Sequence, residues 1–358
     1  MKVVTVVGAR PQFIKAAPLS LALRPRHEEI LVHTGQHYDS GMSDVFFEEL
    51  CVPPPDYHLG VGSGAHGAQT GAMLSAVETV LQKEAPDAVL VYGDTNSTLA
   101  GALAAAKLCL PVAHVEAGLR SFNRAMPEEI NRVVADHLST WLFAPSEVAR
   151  RRLAAEGIER CVHVVGDIML DALRLHLPRA RTRAAVLERV PVRPQEYYLA
   201  TVHRAENTDN GARLAGIFKG LGALDLPVVI PLHPRTKKRL AEFGIHPHGA
   251  VRILEPLGYL DMLALQAAAA CVLTDSGGVQ KEAYYLGVPC VTLREETEWV
   301  ETLETGWNAL AGADPTRIVD AVRQRAKRDH DGSRNVYGNG RTAERIVEIL
   351  SDVGRTRV

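Results

Sequence analysis

Leu273-Thr274-Asp275-Ser276-Gly277-Gly278-Val279-Gln280-Lys281-Glu282-Ala283 reads as an apolar strand that turns on two glycines straight into a helix. Such a turn is one βα step, and steps of this kind repeat in a parallel sheet covered by helices. Gly277 and Gly278 carry no side chain, so backbone N–H groups there can approach a diphosphate closely. Ser276 adds a hydroxyl, and the helix N-terminus adds positive potential. Glu282 follows about one helical turn later, where a carboxylate can bridge the two hydroxyls of a ribose. A turn built only for flexibility would use the same glycines, so the surrounding chain has to decide between the two readings.

Outward from this segment the same alternation recurs. Tyr198–Val202, Val228–Leu232, Val251–Leu254, Cys271–Thr274 and Cys290–Leu293 are short apolar runs separated by helical stretches. An earlier series comprises Val3–Val7, Ile30–His33, Ala88–Tyr92, Val112–Val115, Trp141–Ala144 and Val162–Val165. Runs that are apolar on both alternating faces suit buried strands of a parallel sheet joined by right-handed crossovers. An Arg-rich stretch from Arg174 to Arg193, with Pro191 and Pro194 near its end, reads as the linker and opening helix of a second unit. Ile346, Val347, Ile349 and Leu350 lie at helical spacing in a terminal amphipathic helix that must dock on something. The expected fold is α/β, with two Rossmann-like parallel-sheet domains facing across a cleft. The first takes residues 1–167 plus 339–358, to which the terminal helix crosses back; the second takes 168–338. Open α/β sheets bind ligands outside the carboxyl ends of their strands, so residues just after strands carry the most weight.

Composition narrows the classes. At roughly 150 residues per domain, 358 residues suggest about two domains, and 46% hydrophobic content can fill two cores. Lys plus Arg number 40 against 42 Asp plus Glu, and no basic run exceeds Arg150-Arg151-Arg152, so nucleic acid is not an expected partner. Met1–Gly8 is too short for a signal peptide or a membrane span and reads as a first strand. Cys51, Cys109, Cys161, Cys271 and Cys290 are scattered, odd in number and never spaced C-x-x-C, which encodes neither a disulfide framework nor a zinc site and fits a cytoplasmic protein. Cys271 and Cys290 lie in strand-like runs and read as inert core thiols. His246-Pro247-His248 has no Cys or carboxylate at ligand spacing and reads as a surface loop. No metal and no cofactor are expected.

The first strand ends in Gly8-Ala9-Arg10-Pro11-Gln12-Phe13-Ile14-Lys15, without G-x-G-x-x-G or G-K-[ST], which disfavours bound NAD or ATP of the usual kind. Arg10 and Lys15 at the mouth of a helix suit a phosphate or a carboxylate, or are surface charges beside a Pro-capped helix start. Asp94 and Glu116 each follow a strand directly, in Gly93-Asp94-Thr95 and Val115-Glu116-Ala117. An N-cap or loop salt bridge would explain either acid alone, but two acids arriving from adjacent strands suit acid/base work. Like charges gathered in one pocket would leave a proton available near neutrality. Glu128 and Glu129 open a helix, where acids are favoured by the macrodipole in any case. His203-Arg204 and His233-Pro234-Arg235 also follow strands, as structural histidines or as binders of phosphate.

Taken together, these segments resemble the non-hydrolysing UDP-N-acetylglucosamine 2-epimerases, a family with the GT-B fold, over nearly the whole chain. The likeness rests on G-x-R-P-x-x-x-K at Gly8–Lys15, T-G-Q-H at Thr34–His37, G-D-T at Gly93–Thr95 and V-E-A-G-L-R at Val115–Arg120. P-E-E-x-N-R at Pro127–Arg132, H-R-x-E-N at His203–Asn207 and D-S-G-G-x-Q-x-E at Asp275–Glu282 complete it. The resemblance implies interconversion of UDP-GlcNAc and UDP-ManNAc by a homodimer. It places Asp94, Glu116 and Glu128 around the sugar as acid/base groups, with Arg10, Lys15 and His203 at other active-site positions. Ser276, Gly277 and Gly278 would bind the diphosphate and Glu282 the ribose, with the uracil near Glu255-Pro256-Leu257.

Two segments depart from the best-known members of the family. Arg294-Glu295-Glu296-Thr297-Glu298-Trp299-Val300-Glu301 carries Trp299 where T-E-R-P-E has arginine, so a phosphate contact is either missing or supplied elsewhere. Gln36-His37-Tyr38-Asp39-Ser40-Gly41-Met42 differs from the Q-H-R-x-M-L-D-Q pattern associated with allosteric activation by substrate. Both variants are more similar to members acting on UDP-2,3-diacetamido-glucuronic acid or to archaeal-type enzymes. A hydrolysing 2-epimerase is a further alternative, and the rival from another class is a GT-B glycosyltransferase.

Overall fold

A computed structural model describes residues 1–36, 47, 49–50, 52–182, 190, 192–325 and 335–356. The chain forms two compact units, Met1–Leu175 with Asn335–Val358, and His176–Arg334.

The first unit runs β1 (Lys2–Val7), α1 (Arg10–Leu23), β2 (Glu28–His33), β3 (Tyr57–His58), α2 (His66–Glu84), β4 (Ala88–Tyr92), α3 (Asn96–Lys107), β5 (Val112–Val115), α4 (Pro127–Leu138), β6 (Trp141–Ala144), α5 (Glu147–Ala155), β7 (Val162–Val164) and the first half of α6 (Ile168–Arg181), whose residues from His176 on belong to the second unit. Its seven strands are parallel, in the order β3-β2-β1-β4-β5-β6-β7. All five residues of β4 are buried, as a central strand covered on both faces requires. Val4, Val6, Val89 and Val91 from the strands meet Val77, Leu81 and Ala102 from the helices in one core.

The second unit runs β8 (Tyr198–Thr201), α7 (Ala205–Thr208), α8 (Gly211–Gly222), β9 (Val228–Pro231), α9 (Pro234–Glu242), β10 (Val251–Leu254), α10 (Tyr259–Ala268), β11 (Cys271–Thr274), α11 (Gly277–Leu286), β12 (Cys290–Thr292), α12 (Val300–Glu304), β13 (Asn308–Leu310) and α13 (Pro315–Arg325). Its six parallel strands follow the order β10-β9-β8-β11-β12-β13. Leu214, Ile217, Phe218 and Ile318 pack against Ile230, Leu273 and Val291. Both sheets therefore reverse direction at their first strand, between β1 and β4 and between β8 and β11, and a crevice opens at each reversal.

The final helix, α14 (Thr342–Thr356), belongs to the first unit and packs on α1 with Ile346, Val347 and Leu350 buried. Asp171 accepts a hydrogen bond from Ala343 N at 2.9 Å and anchors its start. Two strands escape the sequence reading: β3 and β13 have two and three residues, too few to show a period. The helix assigned to the Arg-rich stretch begins earlier, at Ile168, and ends at Arg181; residues 183–189 and 191 lie outside the described part.

Candidate functional site

In the first unit the carboxyl ends of β1 and β4 are tied by one side chain. Buried Gln12, in the first turn of α1, accepts from Gly8 N at 2.8 Å and Ala9 N at 3.0 Å through Oε1. Its Nε2 donates to Tyr92 O at 3.0 Å and Thr98 Oγ1 at 3.1 Å. Sequence reasoning singled out Arg10 and Lys15 and passed over Gln12, although a glutamine at the third helical position is a capping-box signal. Arg10 is half-buried at the start of α1, with Pro11 beside it. Gln36 of the T-G-Q-H run accepts from Ser97 N at 3.0 Å and Ser97 Oγ at 2.7 Å. His37 to Met42 lie outside the described residues.

Beyond β4 the chain turns through Gly93 at φ +61°. A Cβ at this position would stand 3.1 Å from Lys15 Nζ and 3.2 Å from Glu116 Oε2, so only glycine leaves room for that pair. Lys15 and Glu116 form a close ion pair. Glu116, 6% exposed, has φ +74°, a region that a non-glycine residue enters at a cost of about 1–3 kcal/mol. The backbone is held there because Glu116 N and Ala117 N both donate to Phe143 O at 3.1 Å. Strain of this kind, fixed by surrounding bonds, marks a residue whose direction is over-determined.

Asp94 follows Gly93 and pairs closely with Arg132 of α4, while its carbonyl accepts from Asn131 Nδ2 at 2.9 Å. The two acids expected to crowd one pocket thus each meet a cation of their own, Lys15 for Glu116 and Arg132 for Asp94. A carboxylate withdrawn from water needs such a counter-charge. The neighbouring glutamates at the start of α4 divide. Glu129 is buried, binds Arg132 at 3.0 Å, and accepts from Ser121 N, Ser121 Oγ and Phe122 N at 2.9, 2.8 and 2.9 Å, clamping the loop before α4. Glu128 is half-buried and makes no hydrogen bond or ion pair to a described residue.

Beneath these turns lies a buried chain of charge that the motifs did not announce. His114 of β5 has Nδ1 2.7 Å from Asp136 Oδ1 and Nε2 2.7 Å from Gly93 O. Asp136 Oδ2 accepts from Gly118 N at 3.1 Å and from the Arg120 guanidinium at 2.7 Å. Arg120 in turn forms a two-point pair with Glu156 at 2.6 and 2.7 Å. Burial alone would push the Asp136 carboxyl up, but its His114 and Arg120 partners outweigh that and hold it below the usual carboxylate range. Glu156 is likewise held down, by its bonds to Arg120.

In the second unit, fully buried Asp275 accepts from His203 N at 3.0 Å, Arg204 N at 3.0 Å and Asn207 Nδ2 at 3.1 Å. It thereby pins the turn after β8 to the end of β11, with His203 Nδ1 3.5 Å from its other oxygen. Ser276 stands at the N-cap position of α11 without a capping bond from its side chain, and the helix opens on Gly277 and Gly278, all three half-buried. A Cβ on Gly277 would come within 3.1 Å of Trp299 Nε1, so the indole edge lies directly over the turn. Lys281 Nζ lies 4.0 Å from the centroid of the same indole, a cation–π contact. Glu282 is buried and accepts from Gln266 Nε2 at 2.7 Å. The arginine of the departing segment, Arg294, is itself buried in a two-point pair with Glu298 at 3.0 and 3.1 Å. His233 serves its own helix, its Nδ1 accepting from Arg235 N at 3.1 Å. His246 and His248 are exposed in a loop. Glu255, 79% exposed, pairs with Lys237.

A family model described as UDP-N-acetylglucosamine 2-epimerase matches residues 20–351. The UDP-2,3-diacetamido-2,3-dideoxy-D-glucuronate 2-epimerase of Pseudomonas aeruginosa is 48% identical over 359 residues, 98% of this chain and 99% of that protein. The UDP-N-acetylglucosamine 2-epimerase of Methanocaldococcus jannaschii is 47% identical over 363 residues, again 98% of this chain and 99% of that protein. The crystal structure of a Methanocaldococcus jannaschii UDP-GlcNAc 2-epimerase in complex with UDP-GlcNAc and UDP matches with a TM-score of 0.92 at 47% identity, covering 98% of this chain and 100% of that one. Among the described residues, no helix is long and apolar enough to cross a membrane.

Proposed function

The chain belongs to the UDP-N-acetylglucosamine 2-epimerase family and is by that membership an isomerase, and from this premise we propose that it interconverts UDP-N-acetylglucosamine and UDP-N-acetylmannosamine. C2 of an acetamido sugar has no adjacent carbonyl to acidify its proton, so direct deprotonation is slow. Breaking the anomeric C1–O bond first sends that electron pair to UDP and leaves an oxocarbenium-like C1, which acidifies the C2 proton. A carboxylate takes the proton, the C–H pair becomes the C1=C2 bond, and a 2-acetamidoglucal remains bound beside UDP. Protonation at C2 from the opposite face and return of the UDP oxygen to C1 yield the epimer.

In this reading Asp94, Glu116 and Glu128 are the acid/base groups. Lys15 neutralises Glu116 at rest, and Arg10 and His203 steady the departing diphosphate. Ser276, Gly277 and Gly278 supply backbone donors and a hydroxyl to the diphosphate, and Glu282 takes the ribose. Glu116 carries the reading most: a nearly buried carboxylate, held at φ +74° against Lys15 beside the Gly93–Asp94 turn, is directed by the fold for a proton transfer. The same reaction on UDP-2,3-diacetamido-glucuronate is a second reading, favoured by the 48% identical relative that is named for that sugar.

Incubation with each UDP-sugar alone in D2O tests both. Deuterium at C2 with UDP retained is the expected result, and the better substrate identifies the sugar. Free ManNAc and UDP would mean the hydrolysing reaction instead. Inertness toward both sugars until an acceptor is added would replace epimerisation by glycosyl transfer. The homodimer we propose is tested by light scattering.

A further inference from the structure

Asp94 is only as well placed as the turn that holds it, and that turn is registered against β5. Gly93 N donates to Val115 O at 3.0 Å, and Gly93 O faces His114 Nε2 at 2.7 Å. A carbonyl can only accept, so the imidazole donates from Nε2. The other ring nitrogen is taken by Asp136, whose second oxygen holds Gly118 N, two residues past Glu116. Asp136 lies on α4, the helix whose Arg132 holds the Asp94 carboxylate. One buried imidazole therefore joins three pieces that carry candidate acids: the Gly93–Asp94 turn, the Glu116–Gly118 turn and α4.

We propose that His114 is a positioning residue, which sets the Gly93–Asp94 peptide through its Nε2–H···O=C bond and so fixes where Asp94 stands relative to Glu116. The inference rests on the epimerase reading and adds to it a residue that touches no substrate. His114 is unexposed; Glu116, Asp94 and Arg132 lie on the elements it joins, and Lys15 Nζ comes within 3.1 Å of where a Cβ on Gly93 would stand.

The test uses two amides of different reach. His114→Gln can present its NH2 near the place of Nε2 and keep the bond to Gly93 O, whereas His114→Asn can reach only toward Asp136. If the Gly93 bond is what matters, the Asn variant loses about 100-fold in kcat with KM and UDP affinity little changed, since misplacement by about 1 Å costs that much. The Gln variant then stays near wild type. Equal losses in both variants, or a loss in Gln alone, would overturn the inference, because a residue needed only as a partner for Asp136 behaves that way. Should the variants not fold, long-range 1H–15N correlation of His114 in the wild-type protein decides. A hydrogen on Nε2 with coupling across to the Gly93 carbonyl supports the proposal, and a bare Nε2 overturns it. A wild-type protein inert in D2O with both UDP-sugars would instead remove the epimerase reading, while the NMR arm still reports on the contact.

Discussion

At the scale of single residues, the candidate site is a set of carboxylates that the fold gives different partners, Lys15 for Glu116 and Arg132 for Asp94 and Glu129. Glu116→Gln removes the charge but keeps the shape, and turnover is expected to fall by orders of magnitude with modest loss of UDP affinity, as for a group acting at the transition state. Single-turnover rates alongside UDP titration check this, and a near-wild-type rate would remove Glu116 from the mechanism. Gly93→Ala attacks the same place from the backbone. It forces a side chain to φ +61° and sets a methyl 3.1 Å from Lys15 Nζ and 3.2 Å from Glu116 Oε2. The strain alone is worth about 1–2 kcal/mol, so urea unfolding is expected to show a loss of that order together with reduced exchange at C2. Asp94 and Glu116 were legible in the sequence because each is the first polar residue after an apolar strand. The division between Glu128 and Glu129 was not, since neighbours in a helix's first turn look alike until a loop folds back onto one of them. His114 was hidden for another reason: inside a four-residue apolar run a histidine reads as core, and its partner Asp136 lies 22 residues on.

At the scale of elements, the strand ends are fixed by buried acceptors and amides that bind backbone across the sheet. Gln12 does this for β1 and β4, and Asp275 for β8 and β11. Asp275→Ala leaves His203 N, Arg204 N and Asn207 Nδ2 without their acceptor. At roughly 1–3 kcal/mol for each buried donor left unmet, reduced by whatever water enters the space, a destabilisation of about 3 kcal/mol is expected. UDP binding should weaken with it, because the turn after β8 and the start of α11 lose their common anchor. An unchanged unfolding midpoint would mean that the anchor lies elsewhere. Buried strands such as β4, β5, β6 and β11 begin and end where the sequence placed them, because glycine, proline or a charge closes each apolar run. The short β3 and β13 could not be seen that way; they are strands only because a neighbouring strand offers them hydrogen bonds. Trp299 shows the complementary limit. Its departure from the family pattern was readable, but not its place over Gly277 and under the Lys281 ammonium, which depends on the segment before α12 folding onto α11, where Thr297 Oγ1 donates to Gln280 Oε1.

At the scale of the whole molecule, each unit encloses a histidine that the site does not use, and together they set how stability depends on pH. His33 is fully buried among Phe13, Phe47 and His58, with ring centroids 4.9, 6.2 and 4.5 Å away. His176 is fully buried edge-on to Tyr259. Neither imidazole has a hydrogen-bond partner among the described residues. Burial pushes both down to about 4, helped by His58 beside His33 and by Arg179 near His176. The folded chain therefore keeps both rings neutral while the unfolded chain begins to protonate them near roughly 6.5. Below that value the unfolded state binds more protons, so stability is fully present above it and is lost as pH falls toward about 4. Each ring contributes a slope approaching about 1.4 kcal/mol per pH unit in that window. His27 and His163, also lowered by partial burial, act in the same direction. Asp136 adds its own loss only in the carboxylate range, further down. Urea unfolding between pH 7 and pH 5 is expected to show stability falling with pH, and His33→Phe, which suits an aromatic cage, should flatten that slope by one ring's share. If the variant keeps the full slope, His33 is not held neutral by the fold, and the pH sensitivity must be sought in other groups.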